Sequence, residues 1–179
     1  PAKPRDELTS LALVSLVSGC SNQQSITTVE YVDIERFMGD WYVIANIPTY
    51  FEKDAYNPLE SYRLDSDGSI ATKFSFNAGS FDGEKKVYQP RAFITEPATN
   101  AVWGMQFIWP IKADYRIVYL DDDYQTTVIG RNNLDYVWIM SRSPQMTEQR
   151  YTELERFVGA LGYDPKLLIR PQHQSVTTP

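Results

Sequence analysis

The chain carries one histidine, His173, and one cysteine, Cys20, so few side chains are available for nucleophilic or metal chemistry. Ser–His and Cys–His relays need an imidazole beside the nucleophile, and His173 stands in a polar C-terminal stretch far along the chain. Zinc sites built on histidine lack parts for the same reason. What remains is carboxylate chemistry. Glu60 together with a tyrosine is able to do acid–base work. Asp121-Asp122-Asp123 has the look of a cation site, but the run falls between two strand-like segments, where a solvated turn is the simpler reading. An enzyme acting on an apolar substrate is therefore the weaker alternative, and neither a cofactor nor a metal is expected.

Cys20 has a different chemistry available. Residues 8–20 form a short apolar run ending in small residues and the cysteine, too short to span a bilayer. Lys3 and Arg5 precede it, as in a secretory leader. Val17-Ser18-Gly19-Cys20 resembles the bacterial lipobox, in which the leader is cut before the cysteine and the cysteine carries palmitate-class acyl chains. The alternative is a buried cysteine in an apolar segment. The expected organisation is a signal peptide over 1–19, a lipidated cysteine and polar tether over 20–30, and a globular domain over 31–179. A formal net charge of −6 argues against nucleic acid as a partner and against adhesion to an anionic lipid surface, so the membrane is expected to be a partner only through the anchor. With one cysteine, no intramolecular disulfide forms.

From Trp41 to Arg142 the chain alternates short aromatic and β-branched runs with turn residues. Strands are predicted at 41–47, 59–65, 69–78, 85–95, 101–108, 114–121, 124–130 and 135–142, eight in all. Hairpin-like breaks such as Ser66-Asp67-Gly68 and Arg131-Asn132-Asn133 fit an all-β, up-and-down antiparallel barrel, whose closure removes the sheet edges. Met146–Leu161 instead places Tyr151, Leu154, Val158 and Leu161 at helical spacing, with Thr147 to cap it and Gly162 to end it. One C-terminal helix packed outside the barrel is expected, followed by an extended return and a frayed end.

Gly39-Asp40-Trp41 resembles the Gly-x-Trp motif that opens the first strand of lipocalins, Asp122-Asp123-Tyr124 their turn between strands six and seven, and Ser141-Arg142 the end of strand eight. With these in order, the stretch is similar to the lipocalin family, and within it to the bacterial outer-membrane lipoproteins and the apolipoprotein D-like group. Topology places Arg142 at the same end as Trp41, where the guanidinium stacks on the indole and plugs the barrel floor. Gly39, Trp41, Asp123, Tyr124 and Arg142 are thus structural.

Strand alternation from Trp41 sends Val43 and Ala45 inward and groups Trp103, Met105 and Phe107, then Tyr115, Ile117 and Tyr119. The resemblance implies that Tyr62, Thr72, Phe74, Phe76, Tyr136 and Trp138 are inside as well. Such a lining suits a ligand with a long apolar part and a polar end; the alternative is that these side chains meet and fill the barrel. Alternation also turns Glu60 and Arg91 inward, either to pair with each other, to hold a ligand head group, or to reach solvent at an edge. The mouth is expected opposite Trp41, with the aromatic segment 48–58 as its lid; Tyr50, Phe51, Tyr56 and Trp109 there cover a ligand, touch a membrane or join a homodimer. The resemblance implies storage or transport of a fatty acid or lysophospholipid at the bacterial envelope. Ser21, in place of an aspartate after the cysteine, favours the outer membrane, facing the periplasm. A scaffold with a filled barrel is the third possibility.

Overall fold

The computed structural model describes residues 25–174. Cys20, the leader over 1–19 and the frayed end expected after Gln174 lie outside the described residues.

Nine strands build the wall: β1 (Gly39–Ile47), β2 (Ala55–Leu64), β3 (Ile70–Ala78), β4 (Lys85–Tyr88), β5 (Arg91–Ile94), β6 (Val102–Ile108), β7 (Ile111–Leu120), β8 (Thr126–Gly130) and β9 (Val137–Ser141). All pairings are antiparallel, and β2–β3 and β1–β9 pairing closes the sheet into a barrel. Eight positions result, because β4 and β5 are two halves of the strand predicted at 85–95, both paired to β3. Pro90 separates them, since proline cannot donate to the ladder.

The barrel has two ends of different character. The floor is closed by a one-turn helix α1 (Ile34–Phe37), N-capped by Asp33, whose carboxylate accepts from Arg36 N–H at 3.2 Å. At the mouth, β6 pairs with β5 but no ladder joins it to β4, so the wall is parted there.

Helix α2 (Glu148–Ala160) follows the barrel, with Thr147 as its N-cap and Gly162 beyond its end at φ +108°, a conformation glycine adopts without strain. Its buried Tyr151, Leu154 and Val158 pack on Ile44, Ala45, Val118, Val128 and Ile139 of the outer wall. The chain then returns along β1: Ile169 exchanges both backbone hydrogen bonds with Asn46, at 2.9 and 3.0 Å. The segment 25–30, within the expected polar tether, is docked on the barrel. Asn132 Oδ1 accepts from Ile26 N–H at 3.0 Å, Val29 N–H donates to Ile117 O at 3.0 Å, and both apolar side chains pack on the barrel.

Candidate binding site inside the barrel

The floor is a sealed aromatic layer. Phe37, Trp41 and Trp103 are at most 1% exposed, and Trp103 stacks on Tyr115 with ring centroids 5.0 Å apart. Arg142 lies 3.7 Å above the Trp41 ring and donates to the carbonyls of Arg36, Phe37, Met38 and Asp40 at 2.8–3.1 Å. The Arg36, Phe37 and Met38 carbonyls are ones the end of a short helix leaves without an intrahelical partner, and Asp40 belongs to β1. Gly39 takes φ +93°, and a Cβ there would stand 3.3 Å from Arg142 Nη1. Tyr124, at φ +59°, accepts Asp33 N–H at 2.9 Å and carries the Arg36 guanidinium over its ring, which ties the turn after β7 to α1. Asp123 lies in that turn without touching the interior. Asp121 Oδ1 accepts from Gln125 and Thr126 N–H at 2.7 and 2.9 Å, so it shapes a turn; among the described residues, no three acidic, histidine or cysteine side chains are grouped to hold a metal.

Val43, Tyr62, Phe74, Phe76, Met105 and Ile117 join the floor residues in one interior cluster, with Thr72 buried on the same face of β3 as Phe74 and Phe76. Trp138, Tyr88, Ala78 and Ala113 pack against this cluster and are only partly buried. Tyr136 stands just before β9, its ring 6.3 Å from Trp138 and under the Arg131 guanidinium, at the rim.

Four residues expected inside lie elsewhere, and three of them follow a break in period-two alternation. A bulge between Val43 and Ala45 turns Ala45 outward onto the α2 cluster and brings Asn46 in. A second, between Ile117 and Tyr119, turns Tyr119 out against Phe157, ring to ring at 5.5 Å. A third, between Met105 and Ile108, leaves Phe107 61% exposed at the parted wall. Arg91 is outside because Ala92, not Phe93, is the inward residue of β5; Arg91 pairs with Asp65 at 3.0 Å and Asp67 at 3.4 Å, and Phe93 lies under Lys112. Glu60 and Arg91 therefore do not meet.

Glu60 faces the interior, opposite Trp41 on β1 and Phe74 on β3. Burial, then the negative charge of Glu52, pushes its carboxyl up to about 8, against a hydrogen bond from Tyr62 that acts the other way. The Tyr62 hydroxyl is 2.8 Å from that of Tyr115, and burial raises both phenols well above their ordinary value. Glu52 was not among the expected site residues. It lies in the β1–β2 lid, 5% exposed, where Oε2 accepts Thr49 N–H at 2.8 Å and Oε1 accepts Trp138 Nε1–H at 3.0 Å. A loop glutamate carries no periodicity, so nothing in the sequence marked it. Asn46 was hidden by the bulge.

Around the mouth Tyr50, Phe51, Phe107, Ile108, Trp109 and Ile111 are 61–82% exposed. Tyr56 instead packs edge-on against Phe81. His173 is far from all of this chemistry: on the outer wall its Nε2 bonds Val43 O at 2.8 Å and its ring packs on Tyr42, and burial lowers its pKa. Two shallow grooves of about 290 and 340 Å³ flank it outside the barrel.

Residues 32–173 match the family model described as a lipocalin-like domain. Among curated relatives, temperature-induced lipocalin-1 of Arabidopsis thaliana is 32% identical over 162 residues, covering 85% of the chain and 86% of the relative. The outer membrane lipoprotein Blc of Escherichia coli is 27% identical over 155 residues, covering 83% and 85%. Among solved structures, insecticyanin from the tobacco hornworm Manduca sexta superposes with a TM-score of 0.67 at 16% identity, covering 85% and 86%.

Proposed function

The chain belongs to the lipocalin family, and from that premise we propose that its barrel stores or transports a fatty acid or lysophospholipid at a bacterial envelope. The family binds small hydrophobic ligands and is one of binding proteins, not enzymes. The observation that carries the reading is the asymmetry of the interior. The floor is sealed by aromatic packing, whereas Trp138, Tyr88, Ala78 and Ala113, wall residues packed against the same cluster, are only partly buried. An acyl chain laid along those walls would leave water at about 25 cal/mol per Å² buried. The exposed apolar rim suits a protein that receives its cargo at a lipid surface, and it is also the face through which a homodimer would form.

The four tryptophans give a direct test. Trp41 and Trp103 are sealed in the floor, Trp109 is 82% exposed outside, and Trp138 lines the upper interior. A quenching fatty-acid probe is expected to lose most of its effect on emission in Trp138→Phe and to keep it in Trp109→Phe; equal quenching in all variants would refute the site. Organic extraction and mass spectrometry of the purified protein then identify the bound lipid.

Anchoring is proposed through an acylated Cys20 in the outer membrane, facing the periplasm. The lipobox-like Val17–Cys20 and the likeness to an outer membrane lipoprotein support it. Cys20→Ala is expected to release the protein from the membrane fraction, and continued sedimentation with membranes would exclude the anchor.

A further inference from the structure

The docked segment fixes where the chain leaves the barrel. Traced back from α1, it climbs the outer wall. Val32 N–H donates to Thr99 O at 2.8 Å and Asp33 N–H to the Tyr124 hydroxyl at 2.9 Å, both at the floor, and Val29 N–H reaches Ile117 O higher up. Ser25 and Ile26 then end on the loop between β8 and β9. Asn132 Oδ1 accepts Ile26 N–H at 3.0 Å and the Ser25 hydroxyl at 3.2 Å, and Arg116 Nη1 donates to Ser25 Oγ at 2.9 Å. Asp114, bound by Arg116 Nε at 3.0 Å, accepts Asn132 N–H at 2.8 Å. Ile26 lies over Gly130, where a Cβ would stand 3.0 Å from its Cδ1. Arg116 is level with Gly130, and Val137 beyond the loop is level with Ile47, the last residue of β1, so Ser25 stands at the mouth end of the wall.

Cys20 is five residues before Ser25, a span of at most about 18 Å when fully extended. β1 has nine residues, so the floor lies about 20 Å below this level, at about 3.3 Å per residue and a strand tilt of about 40°. Ile111, at the start of β7, is about 13 Å above Arg116 on the same rise and tilt. Such a tether reaches the level of the β6–β7 tip and falls short of the floor. The tip it reaches is apolar: Ile108, Trp109 and Ile111 are 70–82% exposed, as are Tyr50 and Phe51 of the β1–β2 loop at 79% and 67%. From Phe107 to Lys112 the hairpin holds no acidic residue. Lys53 lies 5.6 Å over the Tyr50 ring and Lys112 4.0 Å over the Phe93 ring, so both stems run along apolar surface and the ammonium groups stand at its edge.

We propose that the barrel stands mouth-down on a lipid bilayer, with Trp109, Ile108, Ile111, Tyr50 and Phe51 entering it while the docked segment holds the acylated Cys20 on the same side. Aromatic and branched side chains flanked by lysines match the zone between headgroups and acyl chains. The net charge of −6 opposes general adhesion, so contact is made by these tips once the anchor brings them to the surface. Cargo then passes between bilayer and barrel without crossing water. The inference rests on the acylated-cysteine reading above and adds an orientation to it.

The test uses the full lipidated protein in vesicles of phosphatidylethanolamine and phosphatidylglycerol, with or without bromine on the acyl chains. One new cysteine is introduced at the tip, Ile108→Cys, or at the exposed floor turn, Asp122→Cys, and labelled with an environment-sensitive fluorophore; acylation keeps Cys20 from reacting. The label in Ile108→Cys is expected to shift to the blue on vesicles and to lose most of its emission to the brominated lipid, whereas the label in Asp122→Cys keeps its emission. Adding Trp109→Asp and Ile111→Asp to Ile108→Cys is expected to abolish that quenching while the protein still floats with the vesicles through its anchor. Equal quenching of the two labels, an unquenched tip label on vesicle-bound protein, or tip quenching that survives the two aspartates overturns the orientation and leaves the anchor standing. Protein that does not float with the vesicles overturns the anchor and the orientation with it.

Discussion

Arg142→Ala tests whether the floor is held by one guanidinium. That group donates to four carbonyls around the end of α1 at 2.8–3.1 Å, to Tyr124 O at 3.3 Å, and stacks on Trp41 at 3.7 Å. Charge-assisted bonds contribute about 1.5–3 kcal/mol each when buried, but water takes over the contacts at the rim, so a full sum would overshoot. Counting only the partly buried Phe37 and Met38 carbonyls at about 1 kcal/mol each, with about 0.5–1 kcal/mol for the stacking, gives about 3 kcal/mol. For a domain of this size that is a fall in Tm of roughly 6–12 °C. Urea unfolding followed by circular dichroism measures it. Arg142→Lys keeps the charge but not the planar fork, and is expected to recover about 1 kcal/mol. A loss below about 1 kcal/mol in the alanine variant would show that the floor is held by aromatic packing alone.

Glu60 gives a pH signature. Its pKa is higher folded than unfolded, so its contribution is complete below pH 4.5 and declines as pH rises from 4.5 to about 8. At most about 5 kcal/mol is at stake. Wild type should therefore lose stability relative to Glu60→Gln across that window in urea titrations, and parallel curves would refute the burial. Arg91→Ala should leave fatty-acid probe affinity unchanged and cost about 0–1 kcal/mol, because its ion pairs with Asp65 and Asp67 are on the surface; a clear loss of binding would return Arg91 to the site.

The strands and α2 were legible because their signals are local. Alternating aromatic and β-branched runs, turn residues, and Tyr151, Leu154 and Val158 at helical spacing each speak for themselves. The interior was legible only as far as strict alternation held. Each bulge inserts one residue and exchanges the faces beyond it, which is why Val43 and Ile117 are inside while Ala45 and Tyr119 are outside. Pro90 leaves the phase unbroken, since Tyr88 and Ala92 both belong to the interior cluster, and a phase anchored on the large Phe93 inverted Ala92 and Arg91. Glu52 enters the interior from a loop, where no period exists to follow.

An eight-stranded barrel is wide enough either to be filled or to hold one ligand, and the aromatic floor of this chain is filled. Phe37, Trp41, Tyr62, Trp103 and Tyr115 fill the lower half, and the Tyr62–Tyr115 hydroxyl pair caps that layer with a polar contact. Glu60, two residues before Tyr62 on the same face of β2, brings a buried carboxyl next to that layer. Glu52, suspended from the lid by Thr49 and Trp138, is a second buried acidic group. Purely apolar cargo would leave both groups desolvated, so selection between ligands of equal tail length falls to whatever satisfies them.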